Sequence, residues 1–216
     1  MCFSAPVSFV AGGGLSVIGG ATVKKVRTKK EIPYAIIPLI FAVQQIIEGL
    51  VWVSFASPGW LNIVSTYAFV FFAFVFWPIW IPFSVGLLEQ HKIRRKILLF
   101  FFFIGLLLGL SQLYVIATNP ITSHVAYNSI VYSVPNDYWT PMVISYLVVT
   151  CGGCLVSSYK WVKIFGIVSL VSLVIAYEFY TVTCFSVWCF FGAILSFLVY
   201  LHFREQSKVS QIRSKK

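Results

Sequence analysis

Charge is scarce in this sequence. Only 10% of the 216 residues are Asp, Glu, Lys or Arg, whereas 59% are hydrophobic and the mean hydropathy is +0.90. A soluble domain of this size needs far more polar surface to stay in solution. The scarcity therefore excludes an ordinary soluble protein, and the apolar excess predicts a single domain that faces lipid.

Acidic residues are rarer still, with six Asp and Glu against 16 Lys and Arg, so the net charge is +10. Such an excess would suggest nucleic-acid binding if it covered one face of a soluble domain. The basic residues instead fall in short clusters between apolar runs, as in the loops of membrane proteins. The lipid bilayer, and not nucleic acid, is the predicted partner.

Seven apolar runs are each long enough for a spanning helix, which needs about 20 residues. Since backbone in lipid must satisfy its own hydrogen bonds, all seven are predicted to be helical. The predicted spans are 5–23, 33–55, 60–87, 97–117, 139–158, 163–180 and 184–203. The predicted fold class is an all-α transmembrane bundle of seven helices, with residues 1–203 as the membrane domain and 204–216 as a basic tail.

Seven spans place every basic residue on one side of the membrane. These residues are Lys24, Lys25, Arg27, Lys29, Lys30, Lys92, Arg94, Arg95, Lys96, Lys160, Lys163, Arg204, Lys208, Arg213, Lys215 and Lys216. The positive-inside rule then predicts a cytoplasmic C-terminus and an N-terminus outside. No basic region precedes the first run, so it is interpreted as a span and not as a signal peptide. The predicted location is a bacterial inner membrane.

Histidine and membrane-embedded lysine are also scarce. The three His are divided between the predicted faces, with His91 and His202 on one and His124 on the other. A seven-helix zinc hydrolase of the alkaline ceramidase type needs several His around one metal. A retinal-binding rhodopsin needs a Lys in its last span. Neither class fits, and we predict no metal and no cofactor.

Two carboxylates lie inside predicted spans, Glu48 in the second and Glu178 in the sixth. A charged carboxylate at the bilayer centre costs roughly 2.5–3.5 kcal/mol on insertion scales, so such groups face the bundle interior or water. Each lies roughly 15 residues, or about 22 Å, from the cytoplasmic start of its span. The sequence therefore predicts a polar pocket around both, open toward the outer face.

Gln44, Glu48 and Trp52 share one helical face because they are spaced four residues apart, and Gln45 lies beside them. Side chains from other spans complete the predicted ligand-binding set. These are Tyr67, Gln112, Glu178 and Trp188. The outer loop between spans four and five carries no Lys or Arg and is expected to form a short interfacial helix that covers the pocket.

Two interpretations of Glu48 stay open. It can bind a solute, an ion or a proton, or it can hydrogen-bond to neighbouring helices and hold the bundle together. Spans one to three and five to seven run in the same directions, so Glu48 and Glu178 occupy matching positions. This arrangement resembles the three-plus-one-plus-three plan of SWEET and PQ-loop transporters, whose parallel repeats enclose a midplane site.

Cysteines offer a second class of function. Cys2 is a possible reactive thiol, since removal of Met1 would leave a free amine to act as its base, as in N-terminal-nucleophile enzymes. A disulfide between Cys2 and Cys184 is conceivable, because both are predicted near the outer face. Cys151 and Cys154 are interpreted as a small-residue helix contact and not as a redox motif.

Small residues indicate where helices pack closely. Gly12, Ser16 and Gly20 recur every four residues in the first span, and Gly105 and Gly109 do so in the fourth. Such spacing is typical of close helix contacts in membranes. We expect both faces to be packing surfaces.

Four stretches of the chain together resemble an uncharacterised bacterial family of multi-pass membrane proteins whose members begin Met-Cys-Phe-Ser-Ala. The stretches are MCFSAPVSFVAGG, PLIFAVQQIIEGLVW, FWPIWIPFSVGLLE and SVWCFFGAILS. The resemblance covers most of the chain and implies no activity. It implies that seven residues lie in family motifs. These are Cys2, Gln44, Gln45, Glu48, Trp77, Pro78 and Trp188.

Three functions follow as hypotheses. The first is binding or transport of a small solute, ion or proton at Glu48 and Glu178. The alternative, from a different class, is a membrane enzyme that acts on a lipid or small amide, with Cys2 or Glu48 catalytic. The third is a structural or sensory subunit without turnover. The predicted partners are the bilayer and a small solute, ion or lipid ligand.

Overall fold

The computed structural model describes residues 4–126, 128–135, 139–179 and 183–214, with the backbone only for 139–140 and 208–214. This part of the chain is almost wholly helical. The α-helices are α1 (Ala5–Val23), α2 (Ile32–Ala35), α3 (Ile37–Ser54), α4 (Trp60–Val70), α5 (Trp77–Leu88), α6 (Lys92–Thr118), α7 (Trp139–Leu147), α8 (Gly153–Val156), α9 (Lys160–Phe179), α10 (Cys184–Leu195) and α11 (Phe197–Ser214). A 3-10 turn, Lys29–Glu31, precedes α2, and π-helical turns join α4 to α5 (Phe71–Phe76) and α7 to α8 (Val148–Gly152).

Within the described residues, six helical segments are long and apolar enough to cross a membrane. They are Ala5–Val23, Lys29–Ser54, Trp60–Leu88, Lys92–Thr118, Lys160–Phe179 and Cys184–Ser207. The remaining predicted span, 139–158, contains a shorter apolar helix, Pro141–Val156. A helical bundle compatible with a membrane protein is therefore confirmed. The seventh crossing, the orientation and the domain boundary at residue 204 stay predictions.

The helices pack in pairs, with α1 on α3, α5 on α6, and α9 on α10. The outward side of the bundle is apolar, and α6 leaves Leu107 69% exposed and Phe100 62% exposed. A soluble monomer rarely exposes a continuous apolar surface of this kind. The surface of the bundle is thus suited to lipid, and polar groups are concentrated inside it.

The predicted contact at Gly105 and Gly109 is confirmed. A Cβ atom at Gly105 would overlap the carbonyl oxygen of Pro78, and one at Gly109 would lie 2.9 Å from the carbonyl oxygen of Val75. The α6 backbone therefore lies directly against α5 and the π-helical turn before it. This close approach fixes the position of Trp77, which the candidate site uses.

The packing face predicted in α1 is only partly right. A Cβ atom at Gly12 would lie 3.1 Å from the carbonyl oxygen of Ala42 in α3, as expected. Ser16 is exposed, and a Cβ atom at Gly20 would meet nothing within 4 Å. The helices meet along a stripe with alternating spacings of four and three residues, which selects Gly19 instead. The buried positions of this stripe are Ser8, Gly12, Leu15, Gly19 and Thr22.

The loop between α6 and α7 contains a β-hairpin, so the interfacial helix expected there is wrong. β1 (Thr122–Ala126) pairs antiparallel with β2 (Ser129–Ser133), and Asn128 in the turn has a φ of 54°. Asparagine tolerates this left-handed conformation, and the β-branched residues of both strands favour extended backbone. The Ser123 and Thr66 hydroxyls lie 2.7 Å apart and attach the hairpin to α4.

Three connections between helices meet at one end of the bundle, near the clusters of basic residues. Residues of 27–31, 87–90 and 158–161 line a single pocket there, together with His202 and Glu205 of α11. We call this space the basic-face pocket. Its assignment to the cytoplasm stays a prediction.

Candidate functional site

Glu48 lies in α3 with 0% of its surface exposed. Its Oε1 accepts a hydrogen bond of 2.7 Å from the Ser186 hydroxyl, on the third residue of α10. Its Oε2 accepts a bond of 3.3 Å from Nε2 of Gln45. Both of these donors are neutral, so they stabilise the carboxyl group without supplying a positive charge.

Gln44 extends this polar group to a third helix. Its Oε1 accepts a hydrogen bond of 2.7 Å from the indole Nε1 of Trp77, the first residue of α5. The Trp77 ring stacks on Phe41, with 4.0 Å between the ring centroids. We call Gln44, Gln45, Glu48, Trp77 and Ser186 the Glu48 cluster.

Helical spacing explains why α3 directs three polar side chains inward. Gln44 and Glu48 are one turn apart, and Gln45 and Glu48 are three residues apart, so all three lie on neighbouring positions of one face. All three are fully buried, whereas Val43 is 48% and Ile46 39% exposed. The helix is therefore apolar toward lipid and polar toward its neighbours, the reverse of a helix on a soluble protein.

Two buried amide atoms of the cluster have no hydrogen-bond partner among the described residues. They are Nε2 of Gln44, which lies beside the weakly accepting Cys189 thiol, and Oε1 of Gln45. Exchanging the O and N positions of either amide would not provide the missing partners. Nε2 of Gln44 would then face the Trp77 N–H, a second donor, and Oε1 of Gln45 would face a carboxylate oxygen, a second acceptor. Most buried polar atoms in proteins are paired, whereas here the Gln44 donor has only a thiol beside it and the Gln45 acceptor is open.

A small cavity of about 50 Å³ adjoins the cluster. Trp77 is the member of the cluster that lines this cavity, and Cys189, Tyr146 and Trp188 line it from α10 and α7. A water molecule needs roughly 10–15 Å³ on this measure. The space therefore admits a few water molecules or a solute of a few heavy atoms.

The structure brings some of the other predicted residues to this region and leaves others elsewhere. Trp188 lines the cavity, where its indole Nε1 donates to the Ser169 carbonyl at 2.9 Å. Trp52 is half-buried, and its ring is nearly perpendicular to that of Phe55, with 6.2 Å between the centroids. Tyr67 joins α4 to the segment after α6, since its hydroxyl donates to the Asn119 carbonyl at 3.2 Å.

Gln112 is buried in α6, with 4% of its surface exposed. Its burial agrees with the expectation that it faces the bundle interior. Its membership of the Glu48 site stays a prediction.

The prediction that Glu178 is a buried acid is wrong. Glu178 is exposed, between Tyr177 at 61% and Phe179 at 77% exposure. Helix α9 begins at Lys160, so Glu178 is its penultimate residue, about 27 Å from its start at 1.5 Å per residue. At the end of a helix of that length a carboxylate can reach the polar membrane interface. The two acids therefore differ in environment, and the proposed symmetry between Glu48 and Glu178 does not hold.

The structure tests only some of the predictions about cysteine. Cys2 lies outside the described residues, and Cys184 has a free thiol. A Cβ atom at Gly166 of α9 would lie 2.7 Å from Cβ of Cys154 and 3.0 Å from the carbonyl oxygen of Cys151. The interpretation of this cysteine pair as a helix contact is thus confirmed. In the described ranges, His, Cys, Asp and Glu side chains form no group of three or more that could hold a metal ion.

Sequence reasoning missed two members of the cluster. The sequence indicates Trp77 as part of a family motif but not of the site, and it gives no sign that Ser186 is a partner of Glu48. Both lie on helices other than α3, so helical spacing carries no information about them. A buried acid in a membrane does require donors, but the sequence does not say which helix supplies them.

A comparison with known families agrees with the resemblance seen in the sequence. The chain belongs to DUF6629, a family of unknown function. The model of that family matches residues 1–214. No curated protein and no solved structure gives a significant match. The membership confirms an uncharacterised family, while a bacterial origin stays a prediction.

Proposed function

We propose that this protein binds a small polar ligand at the Glu48 cluster inside its helical bundle, and that it moves this ligand across the membrane. The observation that carries the proposal is the pair of open amide atoms beside a fully buried carboxyl group, Nε2 of Gln44 and Oε1 of Gln45.

Energetics favour a ligand over a purely structural role. Each buried polar atom left unpaired costs about 1–3 kcal/mol, and apolar residues of similar size would avoid that cost. A ligand that completes the pairing would recover it. A structural role would be better served by amides whose partners all lie within the bundle.

The chemistry of the open atoms limits the class of ligand. Nε2 of Gln44 needs an acceptor, whereas Oε1 of Gln45 needs a donor. A hydroxyl group, a primary amide or water provides both, but a bare metal cation can only interact with the oxygen atoms. The preferred ligand is therefore a small neutral solute carrying hydroxyl or amide groups, with Glu48 as an additional acceptor.

The neighbouring cavity, which meets the cluster at Trp77, sets a second limit, on the size of the ligand. A volume of about 50 Å³ is too small for a sugar or an amino acid without movement of the helices. Glycerol and acetamide are probes of suitable size and chemistry. Sodium and potassium chloride represent the cation alternative.

Thermal unfolding of the purified protein with each probe tests binding, since a ligand of the folded state raises the melting temperature. We expect a hydroxyl or amide probe to stabilise the wild type and Glu178→Gln, but not Glu48→Gln. Glu178→Gln is a matched control because it makes the same chemical change at an exposed position. An equal response of all three proteins, or a response to salts alone, would contradict the proposal.

Transport is tested by stopped-flow light scattering of proteoliposomes under gradients of the same probes. Swelling should be faster than in empty liposomes and should return to the empty-liposome rate with Glu48→Gln. Binding without faster swelling would restrict the function to binding.

A further inference from the structure

A second candidate site lies at the opposite end of α5, where the basic-face pocket has a volume of about 1220 Å³. Five cationic and three acidic side chains line it, an excess of two positive charges. The cations are Arg27, Lys29, Lys30, Arg95 and Lys160. The acids are Glu31, Glu89 and Glu205.

The acids of this pocket accept hydrogen bonds from neutral donors. Glu31 accepts from the backbone N–H of Arg27 at 2.8 Å and of Thr28 at 3.3 Å. Glu205 accepts from the indole of Trp161. The backbone N–H of Ser158 donates to Glu89 at 2.6 Å. These acids thus have roles within the protein, and the excess positive charge is available to an anion.

An apolar furrow of about 430 Å³ adjoins the basic-face pocket, between α5 and α6. The two spaces share Leu87 and Arg95. Phe83, Leu99 and Phe102 line the furrow along its length. Its mouth carries two more cations, Lys92 and Lys96.

One face of α6 therefore changes from cationic to apolar along the helix. Successive turns of this face carry first cations and then apolar side chains, at spacings of three or four residues. The first turn carries Lys92, the next Arg95 and Lys96, and the following turns Leu99 and Phe102. A phospholipid has the same order, with a phosphate at one end and an acyl chain at the other. A soluble phosphate would use the cations but would leave the furrow unused.

We propose that the furrow and the basic-face pocket form one binding site for an anionic phospholipid. Arg95 binds the phosphate, because a guanidinium group matches phosphate oxygens in a two-bond geometry. Lys92 and Lys96 add positive charge, and basic pockets between membrane helices bind anionic headgroups in this way. The headgroup occupies the basic-face pocket and one acyl chain lies along the furrow.

Gly86 makes the acyl-chain part of this proposal testable. It lines the furrow, and a Cβ atom there would meet only Cβ of Leu98, at an ordinary 3.5 Å. Gly86→Ala therefore fits without strain, whereas Gly86→Leu fills part of the furrow. The pair separates occupation of the furrow from the effect of replacing glycine.

Native mass spectrometry of the full chain in detergent, titrated with dioleoylphosphatidylglycerol, measures the binding. Removal of one cation near a membrane surface weakens anionic-lipid binding about fivefold, so Arg95→Gln should do so, and K92Q/R95Q/K96Q should weaken it on the order of a hundredfold. Lys24→Gln is the control, since Lys24 is exposed at the end of α1 and lines neither space. Gly86→Leu should weaken binding and Gly86→Ala should not.

A neutral lipid and a soluble headgroup test whether binding requires both the negative charge and the acyl chain. Dioleoylphosphatidylcholine should bind more weakly than phosphatidylglycerol, and glycerol 3-phosphate should not compete at the same concentration. Equal binding of both lipids, an equal loss in Lys24→Gln, or full competition by glycerol 3-phosphate would overturn the proposal. If Gly86→Leu does not fold, as judged by gel filtration, the charge variants and the headgroup competition still decide the outcome.

Discussion

Glu48 and Glu89 are buried almost equally, at 0% and 4% exposure, but their surroundings differ. Glu89 follows α5 and accepts hydrogen bonds from the backbone N–H groups of His91 and Ser158 and from the hydroxyls of Ser157 and Ser158. It attaches the end of α5 to the connection before α9. Glu48 joins α3 to α10, yet the glutamines beside it keep unpaired atoms. Burial therefore does not distinguish the two acids, whereas the unpaired amide atoms beside Glu48 do, and the proposed ligand site rests on them.

Of the substitutions considered for these two acids, those at Glu89 should reduce the stability of the fold most. Glu89→Ala would leave four donors without their acceptor, and we expect a loss of about 3 kcal/mol in the free energy of unfolding. Thermal unfolding in detergent measures this loss, and Glu205→Ala, which removes an acid that accepts from Trp161, is the control with a smaller expected effect. A change at Glu89 no larger than at Glu205 would show that the connection is not held in this way.

The contribution of Glu89 to stability should also depend on pH, because the hydrogen bonds favour its charged form. Burial alone would raise the pKa of Glu89, but the hydrogen bonds from His91, Ser158 and Ser157 outweigh it and hold the pKa below its ordinary value. A lowered folded-state pKa stabilises the fold above the ordinary carboxyl pKa of about 4.3, and this contribution is lost as the pH falls through the lower folded value. The decline in melting temperature below about pH 4 should therefore be shallower in Glu89→Gln than in the wild type. Parallel curves would contradict this assignment.

A smaller effect is expected at Trp77. Trp77→Phe keeps the ring that stacks on Phe41 but removes the N–H that holds Gln44, so we expect a loss of about 1–2 kcal/mol. Gln44 would also become free to turn, and the preference for hydroxyl and amide probes should weaken. Trp80→Phe is the matched control, because its indole donates to the Pro33 carbonyl at 3.1 Å, away from the cluster. Equal changes in probe response would argue against a role for the Gln44 orientation.

Glu48→Gln is expected to change stability least among the buried positions, by about 1 kcal/mol or less, since an amide oxygen still accepts from Ser186. Its effect on the probe response should nevertheless be complete. Glu89→Gln should show the reverse, a loss of stability with an unchanged probe response. Melting temperatures of both variants with and without glycerol or acetamide measure this crossed pattern. If both variants changed stability and probe response in the same way, Glu48 and Glu89 would not have the different roles assigned to them.

Hydropathy predicts the helices well because each must bury or expose a continuous apolar surface. Helical spacing also predicts the inward face of Gln44, Gln45 and Glu48, since those residues share one helix. It cannot predict which partners come from other helices, and so misses Trp77 and Ser186. The error at Glu178 arises because this residue lies off the face of α9 that carries the buried residues Phe165, Ser169, Ser172 and Ala176.

A structure in lipid nanodiscs at a resolution that shows ordered water tests the central claim most directly. We predict non-protein density within about 3 Å of both Nε2 of Gln44 and Oε1 of Gln45, the distance of an ordinary hydrogen bond. Protein groups bonded to both amide atoms, with no such density, would contradict a ligand site at Glu48.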